Sequence, residues 1–310
     1  MTCLPTTKLL VIIDGPTASG KTKLGVKLAQ HYSTEVISAD SRQFYKEMRI
    51  GTARPGEEEL EGIPHHFLAF TSIEEDINAG KYERIASEKI DQLFKKHDIV
   101  IVAGGSGFYI DALLFGIDDI PPILPEVRAK MIAEYDKRGL EHIQKLLLAL
   151  DPELYQTIDI QNPKRIIRGL EVVYQTGKKL SHFQLGSKIA KWPYLRIGID
   201  WERELLYERI NLRVDIMISN GLEEEAREMY PFRHLNALKT VGYSELFRYF
   251  EGEYDRESSI AMIKQNTRRY AKRQLTWLRN QSDTNWFEAS DLEAMIRLID
   301  EKRRNQQHLK

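Results

Sequence analysis

Lys21 and Thr22 close the octapeptide GPTASGKT at residues 15–22, which fits the pattern G-x-x-x-x-G-K-[ST]. The chemistry this spacing serves is the grip of a di- or triphosphate. Glycines let backbone amides curl around an anion, and a helix start adds the positive end of its dipole. The lysine then reaches the terminal phosphate, and the hydroxyl can stand on Mg²⁺. Gly15, Pro16, Thr17, Ala18, Ser19, Gly20, Lys21 and Thr22 are therefore candidate phosphate-binding residues, with Thr22 the candidate Mg²⁺ ligand. Further on, EVISADSRQFY carries Asp40, Ser41 and Gln43. A carboxylate facing the loop can orient a metal-bound water or accept a proton from a nucleophile, and Gln43 can pair with the edge of a base. The same Asp-Ser pair also suits a plain helix cap.

Chemistry of this kind needs elements to hold it. The apolar run Leu9–Ile13 predicts a buried strand, and Leu24, Leu28 and Ala29 share one face of a helix that follows it. A short strand at Val36–Ser38 would leave Asp40 just past its carboxyl end, where open α/β sheets bind their ligands. Ile99–Ala103 predicts another apolar strand. Many nucleoside triphosphatases end such a strand with a metal-holding Asp, but here Gly104-Gly105-Ser106-Gly107 follows. That argues against ATP hydrolysis and predicts a flat or extended ligand close to bare backbone, unless the glycines serve only the turn. A further strand at Leu195–Ile199 precedes a helix on which Arg209 and Arg213 share a face. Their repulsion costs a few tenths of a kcal/mol in an isolated helix, roughly what an anionic ligand would reverse. The expected fold is α/β, a P-loop NTPase-like parallel sheet flanked by helices.

Pro121, Pro122 and Pro125 break this rhythm, and helical patterns run from Glu126 to Leu150 and from Pro163 to Gln175. They predict an inserted all-helical domain over residues 121–191, with the catalytic core formed by 1–120 and 192–310. Arg128, Lys164, Arg165 and Arg168 on it suit an RNA backbone, although solvated helix faces would read the same. Near the end, KQNTRRYAKRQLTWLR carries Lys264, Arg268, Arg269, Lys272, Arg273 and Arg279 with no acid among them, interleaved with Tyr270 and Trp277. Such a helix can track phosphates and stack a base while Leu275, Trp277 and Leu278 pack inward. The Gly- and Pro-rich segment MRIGTARPGEEELEGIPHHF reads as a loop, and its adjacent His65 and His66 are too few to hold a metal. A helix over Ala79–Lys96 follows.

Composition excludes several classes. A chain of 310 residues with 42% hydrophobic content buries a large core, and a net charge of −1 rules out an overall basic coat. The single cysteine, Cys3, leaves no disulfide framework and no multi-cysteine zinc site. No apolar run reaches membrane-spanning length, and residues 1–8 lack the features of a secretion signal, so a cytosolic enzyme is expected.

GPTASGKT, DSRQFY, GTARP, PHH and GGSGFY, in this order, resemble the tRNA dimethylallyltransferases. The likeness continues through NPKRIIRGLEV, WERELLYERINLRV, GLEEEAREM, TVGYSE and TRRYAKRQLTWLR, over nearly the whole chain. It implies transfer of a dimethylallyl group from dimethylallyl diphosphate to the exocyclic amine of the adenosine on the 3′ side of the anticodon, with release of diphosphate. It implies Mg²⁺ as cofactor, the tRNA anticodon stem-loop as partner, and a cytoplasmic monomer without a membrane span or the C-terminal zinc finger of eukaryotic members. Asp40 would then take the proton, while Lys21 and Arg213 hold the departing diphosphate. Asp40, Ser41, Arg42, Gln43, Ser106, Arg128, Lys164, Arg165, Ile166, Ile167 and Arg168 would meet the tRNA, in a channel between core and insertion. Two residues depart from the family pattern: Ser106 stands where Thr is usual, and Phe108 where an aliphatic residue is commoner. A kinase of small metabolites and a prenyl transferase acting on free adenine nucleotides remain alternatives, the first needing no basic insertion and the second less RNA grip.

Overall fold

The run LLVIID forms a strand, β1 (Leu9–Asp14), whose six side chains are all buried. A parallel strand covered by helices on both faces demands this, because alternate side chains enter opposite cores. Leu10 and Ile12 enter one core and Leu9, Val11 and Ile13 the other. Around β1 stand β2 (Val36–Ala39), β3 (His65–His66), β4 (Ile99–Gly104), β5 (Tyr194–Asp200) and β6 (Thr284–Glu288) in the order β3-β2-β4-β1-β5-β6. Every pairing in the sheet is parallel. This computed structural model describes residues 8–118, 120–183 and 189–308, so Cys3 lies outside the described residues.

The chain divides into two compact units, Met1–Phe115 with Ala190–Lys310, and Gly116–Ile189. In the first, α1 (Lys21–Tyr32), α2 (Glu57–Leu60), α3 (Ala79–Leu93) and α4 (Gly107–Phe115) follow the early strands. The second unit holds α5 (Pro125–Leu150), α6 (Pro152–Thr157) and α7 (Pro163–Thr176). The first unit then resumes with α8 (Arg203–Ser219), α9 (Leu222–Met229), α10 (Tyr243–Phe250), α11 (Arg256–Arg279) and α12 (Leu292–His308). Leu24, Leu28 and Ala29 of α1 pack with Met295 and Ile299 of α12 on one side of the sheet. Tyr82 and Ile90 of α3, Leu113 of α4 and Val214 of α8 pack on the other.

The second unit is all-helical and has its own core of Met131, Ile143, Leu147, Leu154, Ile166, Leu170 and Val172. The sequence pattern reads α5 as one continuous helix, but Gly139 at φ 77° and ψ −177° breaks it into two. Asp151 caps α6 and Asn162 caps α7, each with Pro at the first turn, where the missing N–H costs nothing. Gly169 lets the helices close: a Cβ there would lie 2.5 Å from Leu154. Two elements of the first unit add to those expected from the sequence, the half-buried edge strand β6 and the helix α12, whose Leu292, Met295, Ile296 and Ile299 share one face. Within the segment expected as a loop, Glu57–Leu60 forms α2 and His65–His66 the edge strand β3, with His65 Nδ1 bonded to Ile63 C=O and His66 Nε2 to Glu35. Among the described residues no helix is long and apolar enough to cross a membrane.

Candidate active site

The carboxyl ends of β1, β2, β4 and β5 lie side by side, with Asp14 and Ala39 both paired to Gly104, and Asp14 paired to Gly198. The phosphate loop leaves β1 there. Its curl rests on two left-handed residues, Ala18 at φ 65° and Gly20 at φ 91°. The loop's carbonyls are fastened from outside: Lys21 Nζ donates to Pro16 C=O (2.7 Å), Arg209 Nε to Ala18 C=O (2.9 Å) and Trp201 Nε1 to Ser19 C=O (3.0 Å). Fixing the carbonyls fixes the opposed amides. Those of Gly20, Lys21 and Thr22 have no protein partner among the described residues, as expected where the first turn of a helix awaits an anion.

Charge in the site is set by burial. Burial pushes the Lys21 ammonium down from its ordinary 10.5 to about 8, with Arg213 acting in the same direction and the Asp40 and Asp14 carboxylates opposing it. Burial likewise drives Asp14 up to about 6 against the pull of Arg196 and Lys21. For Arg213, burial and then Arg209 press against its charge, offset in part by Glu59 and Asp40. A dianionic ligand would relieve both cations. The two α8 arginines divide the work: Arg209 bonds the loop and stacks over Trp201 at 4.4 Å, whereas Arg213 has no hydrogen bond or ion pair among the described residues.

Two cavities meet at this edge. The first is lined by Thr17, Ser19, Lys21, Thr22, Asp40, Gln43, Thr52, Arg209 and Arg213. The second is lined by Val214, Met217, Thr240, Val241, Ile263 and Tyr270, and shares Thr17, Asp40, Thr52 and Arg213 with the first. Asp40 therefore stands in the wall between a cationic cavity and a largely apolar one. Its Oδ1 accepts from the Arg42 amide at 3.1 Å, an Asx turn that fixes the carboxylate.

The neighbours of Asp40 are more committed than the sequence suggests. Arg42 Nη1 donates to the carbonyls of Asn236 and Ala237, though the side chain still lines the second cavity. Gln43 spends both amide hydrogens on Thr52 and Ala53 carbonyls, so two-sided pairing with a base edge is closed to it and only Oε1 is left to accept. Ser106 Oγ accepts from the Ser41 amide and donates to Ser41 Oγ, which makes it a brace for the segment after β2. Phe108 beside it is 58% exposed. The glycines of the β4 turn are not bare. A Cβ on Gly104 would meet Ala39 C=O at 2.3 Å, on Gly105 the Gln274 amide at 2.4 Å, and on Gly107 the Trp277 ring at 2.2 Å. The expected flat or extended ligand is thus kept from Gly105 and Gly107 by Gln274 and Trp277, while Gly104 packs on the Ala39 backbone and still lines the first cavity.

In the helical unit, Arg128 and Arg168 turn onto the buried Glu171, at 2.9 and 3.6 Å, while Lys164 and Arg165 are exposed at the start of α7. Ile166 is fully buried in that unit's core, so its side chain offers RNA no surface, and Ile167 is partly covered. On α11, Lys264 pairs with Asp215 and Arg279 with Asp200, and Arg268 donates to Asn211. Arg269, Lys272 and Arg273 remain exposed. Sequence reasoning missed Asp14, Gln274 and Glu225. Glu225 holds three successive amides, Arg49, Ile50 and Gly51, and the Tyr243 hydroxyl, thereby shaping the GTARP loop. A lone Glu in an acidic helical run gives no sign of such a task.

A Mg²⁺ ion fits the donor set in one way. Among the described residues no group of three or more His, Cys, Asp or Glu could hold a metal. The Thr22 hydroxyl with Asp40 nearby suits a hard cation that keeps most of its waters and arrives with phosphate oxygens, not a resident ion.

Comparison with known proteins bears on this geometry. The model of a family described as IPP transferase matches residues 43–281. The tRNA dimethylallyltransferase of Christiangramia forsetii is 50% identical over 90% of this chain and 93% of its own length, and that of Cytophaga hutchinsonii 47% over 95% and 97%. Among solved structures, the full-length tRNA isopentenylpyrophosphate transferase of Bacillus halodurans is 33% identical with a TM-score of 0.73, over 98% of this chain and 99% of that one. A eukaryotic dimethylallyltransferase acting on tRNA superposes with a TM-score of 0.79 at 27% identity, over 92% of this chain and 75% of that one.

Proposed function

We propose, for a chain that belongs to the IPP transferase family, that it transfers a dimethylallyl group from dimethylallyl diphosphate to the exocyclic amine of the tRNA adenosine 3′ to the anticodon. The observation that carries the reading is the shared wall: Asp40, Thr17 and Arg213 line both the cationic cavity and the apolar one. The diphosphate occupies the first cavity, on the free amides of Gly20, Lys21 and Thr22, with Lys21 and Arg213 neutralising its charge. The target purine, unstacked from its loop at a cost of a few kcal/mol, occupies the second beside Tyr270. Adenine's amine is a weak nucleophile, so most of the barrier must be removed at the leaving group. As the carbon–oxygen bond to diphosphate breaks and the carbon–nitrogen bond forms, Asp40 accepts the amine's proton. Mg²⁺ held by Thr22 and the phosphate oxygens would supply further charge neutralisation.

A cytoplasmic monomer is proposed from the likeness to the tRNA dimethylallyltransferases. The test incubates the protein with labelled dimethylallyl diphosphate and unmodified tRNA, AMP, or no acceptor, with labelled ATP in parallel and with Mg²⁺ present or chelated. Label in tRNA alone, dependent on Mg²⁺, supports the reading. Label in AMP, or phosphoryl transfer from ATP, overturns it.

A further inference from the structure

Glycine at 105 and 107 is explained by two side chains of α11 that sit on the β4 turn, Gln274 and Trp277. Gln274 makes two bonds, both to backbone. Its Oε1 accepts from the Thr17 amide at 2.9 Å, and its Nε2 donates to the Gly105 carbonyl at 2.8 Å. One half-buried amide thereby ties the phosphate loop to the end of β4. The end of β4 in turn holds the segment that carries Asp40: Ser106 N donates to Ala39 C=O at 3.2 Å, and Ser106 Oγ braces Ser41. Beyond the ladder that pairs Asp14 and Ala39 with Gly104, the link from the phosphate loop itself to the segment of Asp40 runs through Gln274. A primary amide offers one acceptor and one donor at fixed separation, which neither a carboxylate nor an ammonium supplies.

We propose that Gln274 is a positioning residue for group transfer: it touches neither substrate and sets the distance between the leaving group's cradle and the proton acceptor. The inference rests on the function proposed above for this site. Displacement of a reacting group by about 1 Å can cost on the order of 100-fold in rate, so loss of the tether has a measurable consequence.

Q274M keeps the length and most of the volume of the side chain while removing both bonds. In single-turnover transfer from labelled dimethylallyl diphosphate to a tRNA transcript, it should be slower by about tenfold or more. Its tRNA affinity and melting midpoint should match the unaltered protein. G105A attacks the same tether from the other end, since its Cβ would lie 2.4 Å from the Gln274 amide nitrogen, and 2.9 Å from Gly15 C=O. If both act through one tether, the double variant loses less than the product of the single losses. Wild-type transfer by Q274M overturns the proposal while leaving the site's function intact. So does a rate loss matched by an equal loss of tRNA affinity or melting midpoint, which marks a merely structural role. Failure of the unaltered protein to transfer the group at all overturns the site's function, and this inference with it.

Discussion

At the scale of single residues, Lys21 and Asp40 face the same cavity and have opposite tasks in the proposed reaction, so their substitution should separate kinetically. Lys21 is cationic below about 8, and that charge is lost as pH rises through this value, well before an ordinary lysine would give up its proton. In the free enzyme, kcat/KM for dimethylallyl diphosphate should be flat below pH 8 and fall above it, by about tenfold per unit. K21R, whose charge persists, should remove that alkaline limb whatever it costs in absolute rate. Between pH 8 and 10.5 the unfolded chain keeps a proton at Lys21 that the folded one has lost, so this residue's contribution to stability rises with pH there. D40N keeps the Asx turn through its side-chain oxygen and removes only the proton acceptor. Single-turnover transfer should drop by about 10²–10⁴-fold with tRNA affinity unchanged, and an unchanged rate would remove Asp40 from the chemistry.

At the scale of elements, the site depends on buried charge that holds strand ends together. Arg196 of β5 is fully buried with Asp14 at 3.5 Å, Asp111 of α4 at 2.8 Å and Asp283, just before β6, at 3.5 Å. R196L would remove the guanidinium shared by three carboxylates, leaving Asp14 with Lys21 alone, and urea unfolding should show a loss of about 3–5 kcal/mol. Leucine has fewer side-chain heavy atoms than arginine, so part of the loss would also come from the space left where the buried guanidinium stood. These ties also explain what was legible in the sequence. GPTASGKT, the strand runs and Asp40 announced themselves because local pattern fixes them: an apolar run, a glycine turn, a residue one step past a strand. Asp14, Gln274 and Glu225 act across 182, 257 and 174 residues of chain, on Arg196, Thr17 and Gly51 respectively. No local pattern records a partner that distant. Edge strand β6 escaped for a related reason, since its residues are half-buried at best and lack the apolar period of a central strand.

At the scale of the whole molecule, the proposed function assigns chemistry and RNA grip to different parts of the chain. Every residue lining the two cavities belongs to the unit built on the sheet, whereas Lys164 and Arg165 belong to the helical unit. They sit at the start of α7, exposed, while Arg128 and Arg168 engage Glu171 and so have part of their charge balanced inside the unit. Contact with phosphate by the first pair would release counterions, and binding would weaken steeply with salt. Reversing both charges, K164E with R165E, should weaken tRNA binding by about tenfold or more at moderate salt. It should also flatten the slope of log K against log salt by about 1.5, because each phosphate neutralised accounts for about 0.7–0.9 of that slope. Removing Ile166 instead, as I166A, opens a cavity in the unit's core and should cost about 2–5 kcal/mol of stability, with no change in that slope. Once tRNA is saturating, K164E/R165E should transfer the group at the unaltered single-turnover rate, because none of the groups around Asp40 has moved. A lower rate at saturation would mean that the helical unit does more than capture RNA, and that binding there helps to arrange the site on the sheet.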